Sequence, residues 1–466
     1  MHVTSDDVMA RLPPERERGL LPLIREEFEK SEKTVVVLDD DPTGTQTCHD
    51  AVVLTSWKTP LLAEHLRKKP SILFVLTNSR SMSERDAIAT AEEIGHNLTL
   101  AVGRSGRQIA VVSRSDSTLR GHFPAEVDAI GRALGIGKFI TVLVPAFIEG
   151  GRYTIEDVHY IREGNELIPV AETPFAKDTV FGYTHSDMKE WVEEKTHARI
   201  KSSEVVSISL TDIRLRGPEA VAERLSACQP GDVCVANACS YRDLEVLVMA
   251  LLLAEKRGQT FIYRTSASFV SLRAGIAPAK NYTPAKEQTQ SANGSLILVG
   301  SYVPKTTRQL NHLLEQGTHH RLEVEVPELL RSKDTSLYRN EIVRQTDKLL
   351  ASGRDVVIYT SRRLETGKDA ESSLLIHSAV SSFLVSIMKE LQIRPAFVIS
   401  KGGITSSDLA TKGLSAECAH ILGPVIDGVP VWKMNDGSKF PGLIYVVFPG
   451  NVGDDRALFD VWKKLK

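Results

Sequence analysis

The sequence lacks the features that are typical of secreted and membrane proteins. Its five cysteines are an odd number without a CxxC pair, which argues against a disulfide framework and a zinc knuckle. Its longest apolar run, VLVMALLLA at 246–254, is too short to span a bilayer. Residues 1–19 have neither the apolar core of a signal peptide nor the acid-poor composition of a transit peptide. We therefore expect a cytoplasmic protein that does not associate with membranes.

The chain also has little net charge. Its formal net charge is -2 and no long basic stripe is visible, so nucleic acid is not an expected partner. A hydrophobic content of 42% and a charged content of 25% are those of a soluble globular protein. At 466 residues the chain is too long for one ordinary hydrophobic core, and more than one domain is expected.

Short apolar runs alternate with helical patterns along most of the chain, which predicts an α/β fold with mainly parallel sheets flanked by helices. The polar stretch 277–295 interrupts this pattern and indicates a boundary between an N-terminal domain, 1–285, and a C-terminal domain, 286–466. The irregular segment 150–203 is interpreted as an insertion at the active site. The predicted strands are 34–39, 72–77, 109–113, 139–144, 205–209, 232–237, 260–264, 295–300, 355–360, 396–400 and 443–448.

The first predicted strand ends in three aspartates, within TVVVLDDDPTGTQT at 34–47. One hypothesis is a phosphatase of the haloacid-dehalogenase type, with Asp39 and Asp41 in its DxDx[T/V] motif. The acidic motif that would complete such a site, VGDD at 452–455, lies beyond the domain boundary, which disfavours this hypothesis. Helix capping could explain one aspartate but hardly three. Because ligands of open α/β sheets bind at the carboxyl ends of strands, a functional loop is favoured.

Other predicted strands of the N-terminal domain also end in polar side chains. Together these hydroxyls, carboxylates and guanidiniums suit a small polyhydroxylated anion, since arginine binds carboxylates bidentately and aspartate and serine bind sugar hydroxyls. The residues in question are Arg80, Arg114, Asp116, Ser117 and Arg152.

Strand ends in the C-terminal domain carry glycine instead. Backbone N–H groups at such turns can meet a phosphate, and glycine allows the close approach. Neither GxxxxGK[ST] nor GxGxxG occurs at these turns, so the P-loop and the dinucleotide fingerprint are excluded. The candidate nucleotide-binding residues are Ser301, Gly402, Gly403, Ile404, Thr405 and Gly450.

In order and placement these motifs resemble the four-carbon acid sugar kinase family, over nearly the whole chain from residue 34. The family's D-D-x-T-G loop is matched by Asp40 and Asp41 with Thr43 and Gly44, its D-S-T stretch by 116–118, and its P-A…G-R stretch by Pro145-Ala146 and Gly151-Arg152. Its G-S, G-G-x-T and G-N-x-G motifs are matched at 300–301, 402–405 and 450–453. The loop itself departs from the family, since it reads D-D-P-T-G-T-Q, and this leaves the identity of the sugar acid open.

The resemblance implies an enzyme that uses ATP and Mg²⁺ to phosphorylate the terminal hydroxyl of threonate, erythronate, 3-oxo-tetronate or a close relative, in a cleft between the domains. Asp40, Asp41 or Asp116 would position or deprotonate that hydroxyl. Thr43, Gly44, Ser117 and the arginines would bind the substrate. The metal ligands and the oligomeric state stay open, with a homodimer as one alternative, and a non-catalytic sugar-acid-binding protein is the further alternative function.

Overall fold

The computed structural model describes residues 3–284, 291–332, 334–362 and 370–466. Strands and helices alternate through these residues, as the sequence pattern predicts. The strands are β1 (Val3–Thr4), β2 (Lys33–Asp39), β3 (Ala51–Leu54), β4 (Ile72–Leu76), β5 (Gln108–Arg114), β6 (Ile140–Val144), β7 (Arg152–Ile155), β8 (Val158–Glu163), β9 (Glu166–Pro169), β10 (Val206–Ile208), β11 (Val233–Ala236), β12 (Phe261–Thr265), β13 (Leu296–Val299), β14 (His320–Val324), β15 (Val356–Thr360), β16 (Phe397–Lys401), β17 (Cys418–Ile426), β18 (Val429–Met434) and β19 (Ile444–Phe448). All eleven predicted strands are confirmed.

The helices lie mainly between consecutive strands. Those described are α1 (Ser5–Arg11), α2 (Leu21–Lys30), α3 (Thr59–Arg67), α4 (Glu84–Ser105), α5 (Ala125–Ala133), α6 (Met188–Lys195), α7 (Gly217–Ser226), α8 (Tyr241–Lys256), α9 (Ala267–Arg273), α10 (Pro304–Gln316), α11 (Val326–Arg331), α12 (Ser336–Ala351), α13 (Ala370–Glu390), α14 (Gly403–Asp408) and α15 (Ala457–Leu465). Local signals account for their ends: in α4 the Ser83 side chain caps the first turn, and Gly106 ends the helix at φ +68.

The chain divides into two compact units. The first contains residues 1–48 and 56–278, and the second contains 49–55 and 279–466. The domain predicted from the sequence contains all of 1–285. The structure differs from this prediction because residues 49–55 belong to the second unit. The predicted boundary at 285/286 lies outside the described residues.

A seven-stranded parallel sheet organises the first unit, in the order β10-β11-β6-β12-β5-β2-β4. Strands that are covered on both faces read as continuous apolar runs, and in β2 the side chains of Val35, Val36 and Val37 are fully buried. Because neighbours run parallel, the carboxyl ends of these strands meet at one edge of the sheet. This edge carries the polar residues predicted from the sequence.

The segment 150–203 is not irregular, because much of it forms a small antiparallel sheet in the order β1-β9-β8-β7. The β7–β8 hairpin turns at Glu156 and Asp157, which have φ values of +50 and +64. Two left-handed residues form the tight turn that suits the twist of a hairpin. This turn is not evident from the sequence because its residues are acidic rather than the Asn-Gly or Asp-Gly pairs that identify such turns.

The second unit contains a mixed sheet in the order β3-β17-β18-β19-β16-β13-β15-β14. From β19 to β14 its strands run parallel, whereas β3, β17, β18 and β19 pair antiparallel. Strand β3 comes from residues 49–55 and pairs with the far end of the chain, with Ala51 opposite Ile421 and Leu54 opposite Cys418. Apolar side chains from β13, β16, β18, β19, α10 and α15 form its core.

Two further features bear on the cytoplasmic location that the sequence predicts. All five cysteines lie within the described ranges, are buried and form no disulfide. Within the described ranges, no helix has the length and apolar character that crossing a membrane requires. The cytoplasmic location stays a prediction.

Candidate functional site

The register of the first sheet aligns polar residues along its carboxyl edge. Asp39 at the end of β2 pairs with Arg114 at the end of β5, and Arg114 pairs with Thr265 at the end of β12. The chain continues into Asp40 and Asp41 after β2, and into a loop at 115–121 after β5. Three separate stretches of sequence therefore meet here because of parallel pairing alone.

Asp40 is the most tightly bound carboxylate of this edge. Arg80, in the short turn after β4, donates two hydrogen bonds to it, from Nε at 3.1 Å and from Nη2 at 2.6 Å. Arg114 Nη1 donates to Oδ1 at 3.3 Å, and Ser115 Oγ donates to Oδ2 at 2.8 Å. These arginines hold the pKa of Asp40 below its usual range despite burial of the carboxylate. With only 2% of Asp40 exposed, its oxygens are committed to the protein.

Asp39 lies deeper and is completely buried. Its Oδ1 accepts a hydrogen bond from Arg114 at 3.0 Å, while Oδ2 has no hydrogen-bond partner among the described residues. Burial raises the pKa of Asp39 to about 7 in spite of Arg114. Gly44 packs directly against this carboxyl group, and a Cβ atom at Gly44 would lie 2.2 Å from Asp39 Oδ1. Glycine is required here because of the close approach rather than a special φ value.

Asp41 begins the short 3-10 turn Pro42–Thr47 and caps it, since Oδ1 accepts a hydrogen bond from the Thr43 N–H at 2.9 Å. Its Oδ2 lies 3.6 Å from Arg80 Nη1, and 18% of its side chain is exposed. Of the three consecutive aspartates, Asp41 is the one with an oxygen available to a ligand.

The loop after β5 carries Asp116, Ser117 and Thr118. Asp116 Oδ2 accepts a hydrogen bond from Arg120 Nε at 2.7 Å and another from the Thr118 hydroxyl. These contacts, led by the charge of Arg120, hold the pKa of Asp116 far below its usual range, against the effect of burial. Asp116 is therefore ionised, and residues of its own loop hold its carboxylate in place.

The antiparallel insertion holds this loop in place. His159 of β8 is fully buried, and its Nε2 donates to the Ser117 carbonyl at 2.8 Å while its Nδ1 accepts from Thr154 Oγ1 at 3.0 Å. Burial lowers the pKa of His159 to about 4, so the ring is neutral and suits this pair of contacts. Tyr183 adds a hydrogen bond from its hydroxyl to the Thr118 carbonyl at 2.8 Å. The insertion thus sets the conformation of the D-S-T stretch.

A separate cavity of about 250 Å³ lies within the second unit. Its wall is formed by the ends of β13, β15 and β16, by the 449–450 turn and by α13, with the exposed side chains of Tyr302 and Ile404 at its surface. The volume lies just below the usual range of about 300–1,000 Å³ for small-molecule pockets. Its lining is Gly300, Ser301, Tyr302, Val303, Val326, Thr360, Ser361, Ile376, Val380, Ser381, Gly402, Gly403, Ile404, Thr405 and Gly450.

Glycine has a specific role in the wall of this cavity. Gly402 has φ +126, a conformation that L-residues rarely adopt, and its N–H donates to the Phe448 carbonyl at 2.8 Å. A Cβ atom at Gly300 would lie 2.3 Å from Thr405 Oγ1. Neither position admits a side chain without moving the wall.

Lys401, the last residue of β16, lies behind the wall and is fully buried. Its Nζ donates to the Pro449 carbonyl and lies 3.9 Å from the centre of the Phe448 ring. Burial lowers the pKa of Lys401 to about 6. This side chain therefore ties the 449–450 turn to β16, and a lysine at the end of an apolar strand was the signal for it in the sequence.

The predicted residues fall into two groups. Asp40, Asp41, Arg80, Arg114 and Asp116 meet at the carboxyl edge of the first sheet, and Thr43, Gly44, Ser117 and Arg152 lie on its loops or on β7. All six predicted nucleotide-binding residues line the same cavity, which lies in the second unit. Their roles stay predictions. Ser115, which donates to Asp40, was not among the predicted site residues, and neither was the buried Arg264, although Arg264 ends a predicted strand.

Comparisons with known proteins divide the chain in a similar way. Residues 35–273 match a family described as a sugar-binding N-terminal domain, and residues 296–458 match one described as a nucleotide-binding C-terminal domain. A D-threonate kinase of Bordetella bronchiseptica is 24% identical over 432 residues, which cover 91% of this chain and 95% of that protein. A D-erythronate kinase of Heliobacterium modesticaldum is 25% identical over 285 residues, which cover 59% of each.

Solved structures share the fold. A protein of Salmonella typhimurium LT2 matches with a TM-score of 0.67 and 17% identity, and covers 93% of this chain and 100% of its own. A Haemophilus influenzae protein matches with a TM-score of 0.61 and 16% identity, with the same coverage. At these identities the likeness bears on the fold alone.

The raised pKa of Asp39 predicts a pH-dependent stability. Between about pH 4, the ordinary aspartate value, and about pH 7, the folded protein binds a proton at Asp39 that the unfolded chain releases, so stability falls as pH rises. The Asp39→Asn variant removes this ionisation. From pH 5 to pH 8, its free energy of unfolding relative to that of wild type should therefore rise by about 2–4 kcal/mol. Urea denaturation at each pH measures this difference in unfolding free energy, with hydrogen exchange in peptides from β2 and β5 as the readout. The exposed Glu29→Gln is the control, and a constant difference between Asp39→Asn and wild type would contradict the assignment.

Proposed function

The chain belongs to the four-carbon acid sugar kinase family, and we propose on this basis that it is an ATP-dependent kinase that phosphorylates the terminal hydroxyl of a small sugar acid. Threonate, erythronate and 3-oxo-tetronate are the expected substrates, or a close relative of them. The observation that carries the proposal is the glycine-walled cavity in the region that matches a nucleotide-binding domain. The acidic and arginine-rich edge lies in the region that matches a sugar-binding domain.

Asp41 is the preferred residue to accept the proton of the attacking hydroxyl. Asp40 is saturated by Arg80, Arg114 and Ser115, so it serves to position these arginines. Asp116 is engaged by Arg120 and Thr118 within its own loop, which favours a role in binding sugar hydroxyls. Asp41 combines a fixed position, set by its bond to the Thr43 N–H, with partial exposure. General-base catalysis needs both.

The lining of the cavity fits a nucleotide. Gly300, Gly402 and Gly450 bring backbone close to the space, and Ser301 and Thr405 add hydroxyl groups, while apolar side chains such as Ile404 suit a flat base. Phosphoryl transfer is mostly a matter of positioning and of neutralising charge on the moving group. It requires the accepting hydroxyl in line with the terminal phosphate, with water excluded.

Mg²⁺ would neutralise the phosphate charge of the bound nucleotide. The described residues contain no group of three or more His, Cys, Asp or Glu side chains placed to hold a metal ion. This fits an ion that is bound mainly through phosphate oxygens and water, with one or two protein carboxylates.

The phosphatase alternative fits the site poorly. Its nucleophile would be Asp39, which is completely buried and packed against Gly44. Asp454 and Asp455 of its proposed acidic motif belong to the second unit, where Asp455 pairs with Arg308 at 2.9 Å. A nucleophilic carboxylate must reach its substrate, and Asp39 does not.

The proposal predicts ATP-dependent phosphorylation of a sugar acid. Purified protein is incubated with Mg-ATP and each of a panel of four- to six-carbon sugar acids, and ADP and the phosphorylated acid are quantified by mass spectrometry. We expect equal amounts of ADP and phospho-acid with at least one four-carbon acid. Phosphate release from p-nitrophenyl phosphate without ATP would favour the phosphatase, and acid-dependent thermal stabilisation without ATP consumption would favour the binding protein.

The Asp41→Asn variant tests the proposed base. Amide for carboxylate keeps the size and the capping oxygen but removes the basic group, so kcat should fall by at least about 100-fold. ATP affinity, measured by calorimetry, should stay within about twofold, because the change leaves the nucleotide cavity intact. The exposed Asp50→Asn serves as the matched control, since 88% of its side chain is open to solvent. Loss of ATP affinity in Asp41→Asn would show that the assignment of sites is wrong.

The Gly402→Val variant tests the nucleotide cavity. A β-branched residue at φ +126 is strained, and its Cβ would lie 3.3 Å from Ser301 Cβ. We expect ATP affinity to fall by at least about tenfold while affinity for the sugar acid is retained. Gly353→Val is the control, because Gly353 has φ +75 in the same unit but does not line the cavity. Equal effects of both variants would mean that backbone strain, rather than the cavity, controls nucleotide binding.

A further inference from the structure

The arginines at the carboxyl edge of the first sheet differ in how well they are neutralised. Arg80, Arg114 and Arg120 each have a carboxylate oxygen within 3.0 Å, on Asp40, Asp39 and Asp116 respectively. Arg152 and Arg264 have no such partner at hydrogen-bond distance within the described ranges. Of the arginines at this edge, these two therefore carry the least closely paired positive charge among the described residues.

Arg264 is the more deeply buried of the two, with only 7% of its surface exposed. Its Nη1 lies 3.5 Å from Ser113 Oγ and 4.0 Å from Glu126 Oε2, both beyond the length of about 2.7–2.9 Å that is usual for a charge-assisted hydrogen bond. Glu126 Oε2 itself has no hydrogen-bond partner among the described residues. Ordinary ion pairing therefore does not explain why a guanidinium is buried here.

Arg264 lies next to the loop after β5, which carries Asp116 and is proposed to bind the substrate. It lines a hollow of about 20 Å³ together with Ser115, Asp116 and Thr265, and Trp191 closes part of the wall. A hollow of that volume holds one water-sized group, such as a carboxylate oxygen. Gly121, at φ +123, makes room for the guanidinium, since a Cβ atom there would lie 2.7 Å from Arg264 Nη2.

The electrostatics agree with this geometry. Burial lowers the pKa of Arg264, and the charges of Glu126 and Asp40 offset this only in part. By contrast, Asp40 raises the pKa of Arg80 well above its usual value. An additional anion near Arg264 would supply the missing compensation.

We propose that Arg264 binds the carboxylate of the sugar acid and is the residue that makes the enzyme choose an acid over the corresponding neutral polyol. This inference rests on the proposed kinase function. The carboxylate of the substrate pairs with the guanidinium, and the substrate hydroxyls lie next to the loop that carries Asp116. Arg80 and Arg114 are instead engaged by Asp40.

The test compares two substrates of equal length. For each variant, kcat/KM is measured with the four-carbon acid that is active in the screen and with the four-carbon polyol of the same configuration. Loss of a charge-assisted pair should reduce the acid-over-polyol ratio by about 10- to 100-fold in Arg264→Gln. A general structural defect would lower both activities and leave the ratio unchanged.

Two further variants keep the test decisive if Arg264→Gln does not fold. The double variant Arg264→Gln with Glu126→Gln avoids a buried unpaired carboxylate, and Arg264→Lys keeps the cation but loses the bidentate geometry. Arg214→Gln is the matched control, because Arg214 is 9% exposed in the same unit and pairs with Asp243 at 2.7 Å, away from the site. Its acid-over-polyol ratio should equal that of wild type.

A folded Arg264 variant with an unchanged ratio would overturn the inference, while the kinase function would still stand. A wild-type protein that consumes ATP with neither substrate, nor with any acid of the panel, would overturn the kinase proposal itself. A reduced ratio in Arg264→Lys and in the double variant, with the ratio of Arg214→Gln unchanged, is the supporting result.

Discussion

The carboxyl edge of the first sheet depends on one interaction, the buried pairing of Asp40 with Arg80 and Arg114. It joins the ends of β2, β4 and β5, and removing one member would leave an unpaired buried charge at a cost of about 3–5 kcal/mol. Because both arginines pair with Asp40, they fix the start of the loop that follows it. Asp41 can then present a carboxylate at a fixed place, which is what a catalytic base requires.

The candidate sites of the two units differ in their chemistry. In the first, arginine charges hold the pKa values of Asp40 and Asp116 below their usual range, while burial raises the pKa of Asp39 to about 7. In the second, glycines leave space and expose backbone groups, serines and threonines add hydroxyls, and none of the described residues that line the cavity carries a charged side chain. A polyhydroxylated anion and a nucleotide need these two environments respectively.

Much of this organisation could be predicted from the sequence, for identifiable reasons. Buried parallel strands are continuous apolar runs, so all eleven predicted strands are present, and residues at their ends meet because strand direction is shared. The antiparallel hairpin of β7 and β8 was missed because its turn residues, Glu156 and Asp157, resemble a charged surface loop. Nothing in the sequence around His159 indicates its partner, because only the fold shows that it contacts the Ser117 carbonyl.

The sequence by itself determined the α/β class, the aspartate-rich and glycine-rich strand ends, and the family. These are local properties: an apolar period, a turn residue or a short motif is complete within a few positions of the chain. Only the tertiary structure decided which aspartate is saturated, that the nearest carboxylate to Arg264 lies as far as 4.0 Å away, and that residues 49–55 complete the sheet of the second unit. Those outcomes depend on distances between residues that are tens to hundreds of positions apart, and such distances exist only once the strands have paired.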